Sequence, residues 1–254
     1  METSDLKQKL ESGKCVYGPF VRIPDPAVME ILGYAGFDFA IIDLEHGPMG
    51  VHQAENLVRA GKLAGMAPVI RIRENAETMI VRALDTGASA VQIPQINTAA
   101  AAQKAARAAR FYPRGMRGVC AFTRNAEYSN IPIPDYFAKA NENTLTILQI
   151  EGCDGLNDLD AILEVQRIDV LFIGPYDLSQ ALGVPGEVMS RTVLKAMETI
   201  TAKARAKGVF VGSFSAGKEA LRLHRDMGVQ YLSYHIDGEI LLRGARMLLE
   251  EARG

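Results

Sequence analysis

The sequence has no large charge excess of either sign. Its 28 lysines and arginines face 30 aspartates and glutamates, for a formal charge of −2. That balance excludes a basic nucleic-acid footprint and an acidic tail. No apolar run approaches the length of a membrane span, and the charged N-terminal stretch lacks an apolar signal core. The expectation is a cytoplasmic chain with no membrane partner. Cysteines are few: Cys15, Cys120 and Cys153 form no CxxC spacing and are odd in number, which reads as reduced thiols. No GxGxxG turn follows the first strand-like run, which counts against an open, doubly wound nucleotide-binding sheet. Lysines such as Lys14, Lys62, Lys104, Lys139, Lys195, Lys203, Lys207 and Lys218 fall in loops or helical stretches. None is placed at a strand end, where Schiff-base chemistry would want one.

What the sequence does have is an alternation that runs to its end. Short apolar runs rich in Val, Ile and Phe lie near 15–20, 38–43, 67–72, 89–93, 145–150, 169–173, 209–213 and 229–234. Runs apolar on both sides suit parallel strands covered on both faces. Amphipathic stretches separate them, at 51–64, 76–86, 98–110, 155–165, 190–207 and 216–227. Eight strands with helical crossovers in a chain of 254 residues predict a (β/α)8 TIM barrel, with residues 1–254 as a single domain. A doubly wound sheet is the runner-up. Residues 111–135 break the rhythm and are longer than an ordinary connection, as lids and binding loops are. The last helix, 238–252, carries Leu241, Leu242, Ala245, Leu248 and Leu249 on one stripe. It is expected to close the barrel or to dock on a neighbouring subunit.

Acids stand where apolar strands end. Glu151 closes Thr146–Glu151, Asp177 follows Val170–Tyr176, and Phe39–Leu44 runs into Glu45-His46-Gly47-Pro48. Arg71 ends the third strand. In a barrel of this kind the carboxyl ends of all strands open on one face, so Glu151, Asp177, His46 and Arg71 converge. Two carboxylates plus waters suit a hard divalent cation such as Mg²⁺ or Mn²⁺. A 2-oxo acid held there becomes acidic at its adjacent methyl carbon. Arg71 is then placed to hold an enolate oxygen, and His46 to move the proton. Asp85, just before strand four, is read as the group that fixes the His46 tautomer.

Each residue also has a plainer reading. Asp177 reads equally as the N-cap of a short helix and Glu151 as a loop residue. His46 reads as a structural histidine, Arg71 as an ion-pair partner, and Asp85 as the end of a helix stopped by Gly87. The joint occurrence at four strand ends favours the functional reading. His52 and His224 sit within helical stretches and read as surface or packing residues. His235 follows strand eight and is a candidate to face the site. Cys153 reads as a structural thiol.

The motifs Asp43-Leu44-Glu45-His46-Gly47-Pro48, Arg71, Tyr112-Pro113-Arg114-Gly115-Met116-Arg117-Gly118-Val119, Gln149-Ile150-Glu151 and Gly174-Pro175-Tyr176-Asp177-Leu178 resemble those of the HpcH/HpaI aldolases. These are metal-dependent (class II) pyruvate aldolases on a TIM barrel, in the phosphoenolpyruvate/pyruvate superfamily. The resemblance runs over nearly the whole chain. It implies reversible cleavage of a 4-hydroxy-2-oxo acid, or a 2-keto-3-deoxy sugar acid, to pyruvate and an aldehyde through a pyruvate enolate. It implies Glu151 and Asp177 as ligands of Mg²⁺, Mn²⁺ or Co²⁺, His46 as base with Asp85 as its partner, and Arg71 as the enolate's counter-charge. Gln149 matches a residue lining the pyruvate site, the backbone amides of Tyr176 and Asp177 match those that receive the pyruvate carboxylate, and Phe20 and Phe214 fall at apolar pocket positions. A homo-oligomer is implied, a hexamer with the last helix exchanged between subunits. Tyr176 and the Ser233–Asp237 segment depart from the small residues usual there.

Rival readings remain at this point. A CoA-thioester lyase of the citrate lyase β or malyl-CoA type shares the superfamily, but no clear basic stretch offers a CoA groove. A phosphate-sugar barrel has only Ser213–Lys218 as a weak phosphate loop. A barrel that binds a 2-oxo acid without turning it over is a different class altogether.

Overall fold

The computed structural model describes residues 3–254. Eight parallel strands close in sequence order into a barrel: β1 (Val16–Val21), β2 (Phe39–Asp43), β3 (Ala67–Arg71), β4 (Ala90–Ile93), β5 (Leu145–Ile150), β6 (Val170–Ile173), β7 (Phe210–Ser215) and β8 (Tyr231–Ile236). The helices are α1 (Thr3–Glu11), α2 (Pro26–Tyr34), α3 (Val51–Leu63), α4 (Glu77–Asp85), α5 (Ala99–Ala108), α6 (Ile133–Asn143), α7 (Cys153–Asn157), α8 (Leu159–Leu163), α9 (Pro175–Ala181), α10 (Arg191–Ala206), α11 (Lys218–Met227) and α12 (Asp237–Arg253). The eight expected strands are all present within about two residues of their expected bounds. The expected 155–165 helix is two short ones, α7 and α8, meeting at Asp158.

Strand side chains alternate between two cores, as the period of two requires. Phe39 and Ile41 of β2, Ala67 and Val69 of β3, Leu145 and Ile147 of β5, and Val170 and Phe172 of β6 point into the barrel. Their neighbours Ala40, Ile42, Ile70, Leu148, Leu171 and Ile173 point outward under the helices. Phe39 stacks on Tyr231 at 3.9 Å between ring centres and fills the interior. Leu6 and Leu10 of α1, both buried, pack with this inner cluster.

The same alternation carries polar residues inward at the carboxyl end. Counting on by twos from the inner core reaches Asp43 on β2, Arg71 on β3, Gln92 on β4 and Gln149 on β5. The register sets Asp43 beside Arg71, and Arg71 beside Gln92. A closed core thus gives way, one layer up, to a polar one.

The expected 111–135 loop has irregular backbone apart from a 3-10 segment at Arg124–Ser129, and α6 begins within its last residues. It is organised around its own small core of Phe111, Ala126, Tyr136 and Ala140. Asn141 clamps Phe111 at both backbone N (2.8 Å) and O (3.1 Å). Helix α12 is anchored at its start, where buried Asp237 accepts from the amides of Arg22 (2.9 Å) and Ile23 (2.8 Å). Beyond that, Leu241, Leu242, Leu248 and Leu249 stay exposed, so α12 does not close the barrel.

Candidate active site

The site grows from Asp43, the last residue of β2. Its side chain is wholly buried. Oδ1 accepts from Arg71 Nε at 3.0 Å and from the amides of Glu45 (3.1 Å) and His46 (3.2 Å). Oδ2 meets Arg71 Nη2 and Arg22 Nε, both at 2.8 Å. Burial works against its charge, but the Arg71 guanidinium and these amides outweigh burial and hold the carboxyl below its ordinary value. One acid therefore fixes both the arginine and the turn that bears His46. That turn is tight: a Cβ on Gly47 would stand 2.1 Å from the Asp43 carbonyl oxygen, so only glycine fits.

Arg71 is buried and lies 4.6 Å over the Phe20 ring. Its third nitrogen, Nη1, lies 3.0 Å from Glu45 Oε2. That oxygen is buried yet accepts no hydrogen bond, because the approach is off the N–H direction. Glu45 is raised by burial first, then by Asp43 and Asp177, with Arg71 opposing. His46 sits at the rim, its side chain 53% exposed, with Nε2 3.8 Å from Glu45 Oε2.

Glu151 follows β5 and is buried. Oε1 accepts from the amide of Gln95 at 2.8 Å. Gln95 holds a left-handed backbone (φ 55°), a conformation rare for a residue with a side chain, and this aims its N–H at the carboxylate. Oε2 accepts from Gln149 Nε2, and Gln149 Oε1 in turn accepts from Gln92 Nε2 at 2.6 Å. Glu151 is raised by burial first, with Glu45 and Asp177 adding to it. A Cβ on Gly174 would lie 2.8 Å from Glu151 Oε2, so that glycine leaves the carboxylate its space. Asp177 stands exposed in the first turn of α9.

Three acids therefore crowd one face: Glu45, Glu151 and Asp177. The donor set is hard oxygen, held by buried partners and short of counter-charge. Among the described residues no three such side chains form a ready cage. A pair of carboxylates suits an ion of the Mg²⁺ type, which keeps several of its waters. The residues present fit such an ion.

The structure brings together His46, Arg71, Glu151, Asp177 and Gln149. Phe20 and Phe214 also belong here: their rings are 5.8 Å apart, and Phe214 is 6.0 Å from Tyr176. Asp85 is not brought to His46 within the chain. It ends α4, at the opposite end of the barrel from the strand ends, and accepts from Arg117 Nη2 at 2.7 Å. His235 turns away despite its inward parity, because a left-handed backbone (φ 62°) breaks the alternation. It bonds instead to Glu239 (2.9 Å) and Arg243 (3.1 Å) of α12. Asp43, Glu45, Arg22, Gln92 and Gln95 are members of the site to which no role was given from sequence.

Fold and site together define a TIM barrel with an arginine-backed acidic centre at its carboxyl face. The chain belongs to the HpcH/HpaI aldolase/citrate lyase family, whose family model matches residues 17–243. It is 32% identical over 252 residues to a hydroxypyruvate/pyruvate aldolase of Roseovarius nubinhibens, covering 99% of this chain and 97% of that one. It is 32% identical over 244 residues to a 4-hydroxy-2-oxo-heptane-1,7-dioate aldolase of Salmonella dublin, covering 96% and 92%. The crystal structure of a family protein from Burkholderia cenocepacia J2315 superposes with a TM-score of 0.92 at 32% identity, covering 98% and 99%.

Proposed function

We propose that this chain is a carbon–carbon lyase that cleaves a 4-hydroxy-2-oxo acid to pyruvate and an aldehyde, and runs the reverse addition. The observation that carries the reading is Arg71. Its guanidinium is pinned by Asp43 on one edge, and its remaining nitrogen faces the acids at 3.0 Å from Glu45. A permanent, buried and oriented cation is what an enolate oxygen requires. Relatives named as aldolases support the same chemistry.

Glu151 and Asp177 are the residues that would hold a divalent cation, in keeping with the family's general metal dependence. Such an ion, when bound, draws charge from the substrate's 2-oxo group. Its identity as Mg²⁺, Mn²⁺ or Co²⁺ is part of the proposal. His46 takes the proton of the C4 hydroxyl. The C3–C4 bond breaks, the aldehyde leaves, and the electron pair moves onto the pyruvate enolate beside Arg71. A proton returned to C3 gives pyruvate. Gln149 orients Glu151 through its amide, itself set by Gln92. The first-turn amides of Tyr176 and Asp177 have no carbonyl of α9 to bond, and are assigned to the pyruvate carboxylate. A role for Asp85 beside His46 requires a second copy, since one chain places them at opposite ends. The exposed leucines of α12 are the surface assigned to self-association, with a hexamer as the expected assembly.

The test is retro-aldol cleavage of several 4-hydroxy-2-oxo acids, with released pyruvate as readout, before and after chelation. Cleavage that stops with chelator and returns with Mg²⁺, Mn²⁺ or Co²⁺ supports the reading. Pyruvate trapped on the protein by borohydride, with full activity in chelator, refutes it.

A further inference from the structure

A cavity of about 210 Å³ adjoins the site, between the residues after β6 and those after β7. Tyr176, Val188, Met189 and Phe214 line it, and Glu219 and His224 supply its polar groups. Tyr176 is the neighbour of Asp177, and Phe214 contacts Phe20, which lies under Arg71. The cavity thus shares its aromatic lining with the reacting centre. It is smaller than the 300–1,000 Å³ typical of drug-sized ligands, so it takes a tail of a few carbons.

The polarity of the lining is specific. Among the described residues that line it there is no lysine or arginine. Glu219, exposed and without an ion-pair partner among the described residues, is the one carboxylate. His224 is buried, and its Nδ1 lies 2.8 Å from Ser215 Oγ, which fixes the ring. Nε2 makes no hydrogen bond among the described residues. Burial lowers this imidazole to about 4, so it is neutral near pH 7 and brings no positive charge.

We infer that this cavity is the subsite for the far end of the acceptor aldehyde, and that it selects an uncharged, short-chain aldehyde over one ending in a carboxylate. The inference rests on the aldolase reading above. A carboxylate in this lining loses water, gains no cation and meets Glu219. A short alkyl tail fills the apolar walls, and a hydroxyl on it meets the free Nε2 of His224.

The test compares butanal with succinic semialdehyde, which have the same carbon count, as acceptors for pyruvate. The readout is the ratio of their kcat/KM values, in which losses common to both cancel. The parent is expected to favour butanal by about tenfold or more. Glu219→Lys places a cation at the cavity and is expected to move the ratio towards succinic semialdehyde by about fivefold or more. Ala220→Leu narrows the cavity and is expected to lower butanal relative to acetaldehyde. A parent that prefers succinic semialdehyde overturns the inference, as do ratios that neither variant moves. Exchange of pyruvate methyl protons in D₂O, which needs no aldehyde, separates the two levels. With exchange intact and the ratios unmoved, only the subsite falls; without exchange in the parent, the aldolase reading falls and takes the subsite with it.

Discussion

Replacing Asp43 by asparagine keeps shape and removes one charge. The fully buried carboxylate meets Arg71 twice and Arg22 once, and accepts two amides of the His46 turn. Breaking one partner of a buried ion pair costs about 3–5 kcal/mol, since the buried arginine then loses its main counter-charge. A chain of this size loses roughly 2–4 °C in Tm for each kcal/mol. Asp43→Asn is therefore expected to melt roughly 10 °C lower at pH 7, as read by calorimetry. Arg71 keeps the Phe20 ring, one neutral amide oxygen and the off-axis Glu45, but loses the ion pair that orients it, so kcat for cleavage is expected to fall by about 10²-fold, as for loss of an oxyanion donor. The pH dependence gives a second reading. The folded pKa of Asp43 is lowered, so its contribution is present above the unfolded value near 4 and is lost as pH falls through the folded value. The gap between parent and variant should shrink in acid. A variant within about 2 °C of the parent at pH 7, with unchanged kcat, refutes the claim that Asp43 holds Arg71 in place.

Mn²⁺ at about 100 times its Kd should add roughly 2.7 kcal/mol to the parent's stability, seen as a raised Tm; Glu151→Gln and Asp177→Asn should lose that rise, and either variant keeping it is not a ligand variant. Arg71→Lys keeps the charge but not the planar fork, and kcat should fall by about 10²-fold or more; near-parental kcat makes Arg71 structural. His46→Ala should lose most cleavage, and pyruvate methyl exchange in D₂O then tells whether His46 also serves enolisation; survival of both reactions removes His46 from the mechanism. His224, lowered from 6.5 to about 4, stays neutral when folded while the unfolded chain binds a proton between those values, so stability falls as pH drops through that window, by roughly 3 kcal/mol at about 1.4 kcal/mol per pH unit. His224→Gln should flatten that fall in Tm between pH 7 and 4, and an unchanged fall assigns it to other groups.

The barrel was legible because its strands are buried on both faces, and runs such as Phe39–Ile42 have no other stable home. Their spacing gave the topology, and acids at strand ends singled out Glu151 and Asp177 as candidate ligands. The same rule applied to Asp43 would have selected it, since it too is an acid closing an apolar run. Asp85 precedes strand four rather than following one. A helix runs back against the strands, so its last residue arrives at the far end of the barrel, and that order could have been read from sequence. The turn of His235 could not, because it depends on a left-handed backbone within β8. Nor could the Ser215–His224 pair, which forms where α11 packs on β7.

The charges of the site do not balance among themselves. Asp43, Glu45, Glu151 and Asp177 stand against Arg22 and Arg71. Asp43 takes up Arg22 and two nitrogens on one edge of Arg71, so Glu45 has one off-axis contact with an arginine and Glu151 has only neutral donors. Burial and mutual repulsion then raise Glu45 and Glu151, which means that ionising them in the folded chain costs stability. Hydrophobic side chains of similar volume would fold better here. Such a cluster, with a left-handed Gln95 that turns its amide onto Glu151, fits the proposed counter-charge from outside the chain. The divalent cation proposed for Glu151 and Asp177 would offset both repulsions at once, which is why the thermal shift on adding metal, rather than activity alone, is the sharper measure of what the acids are for.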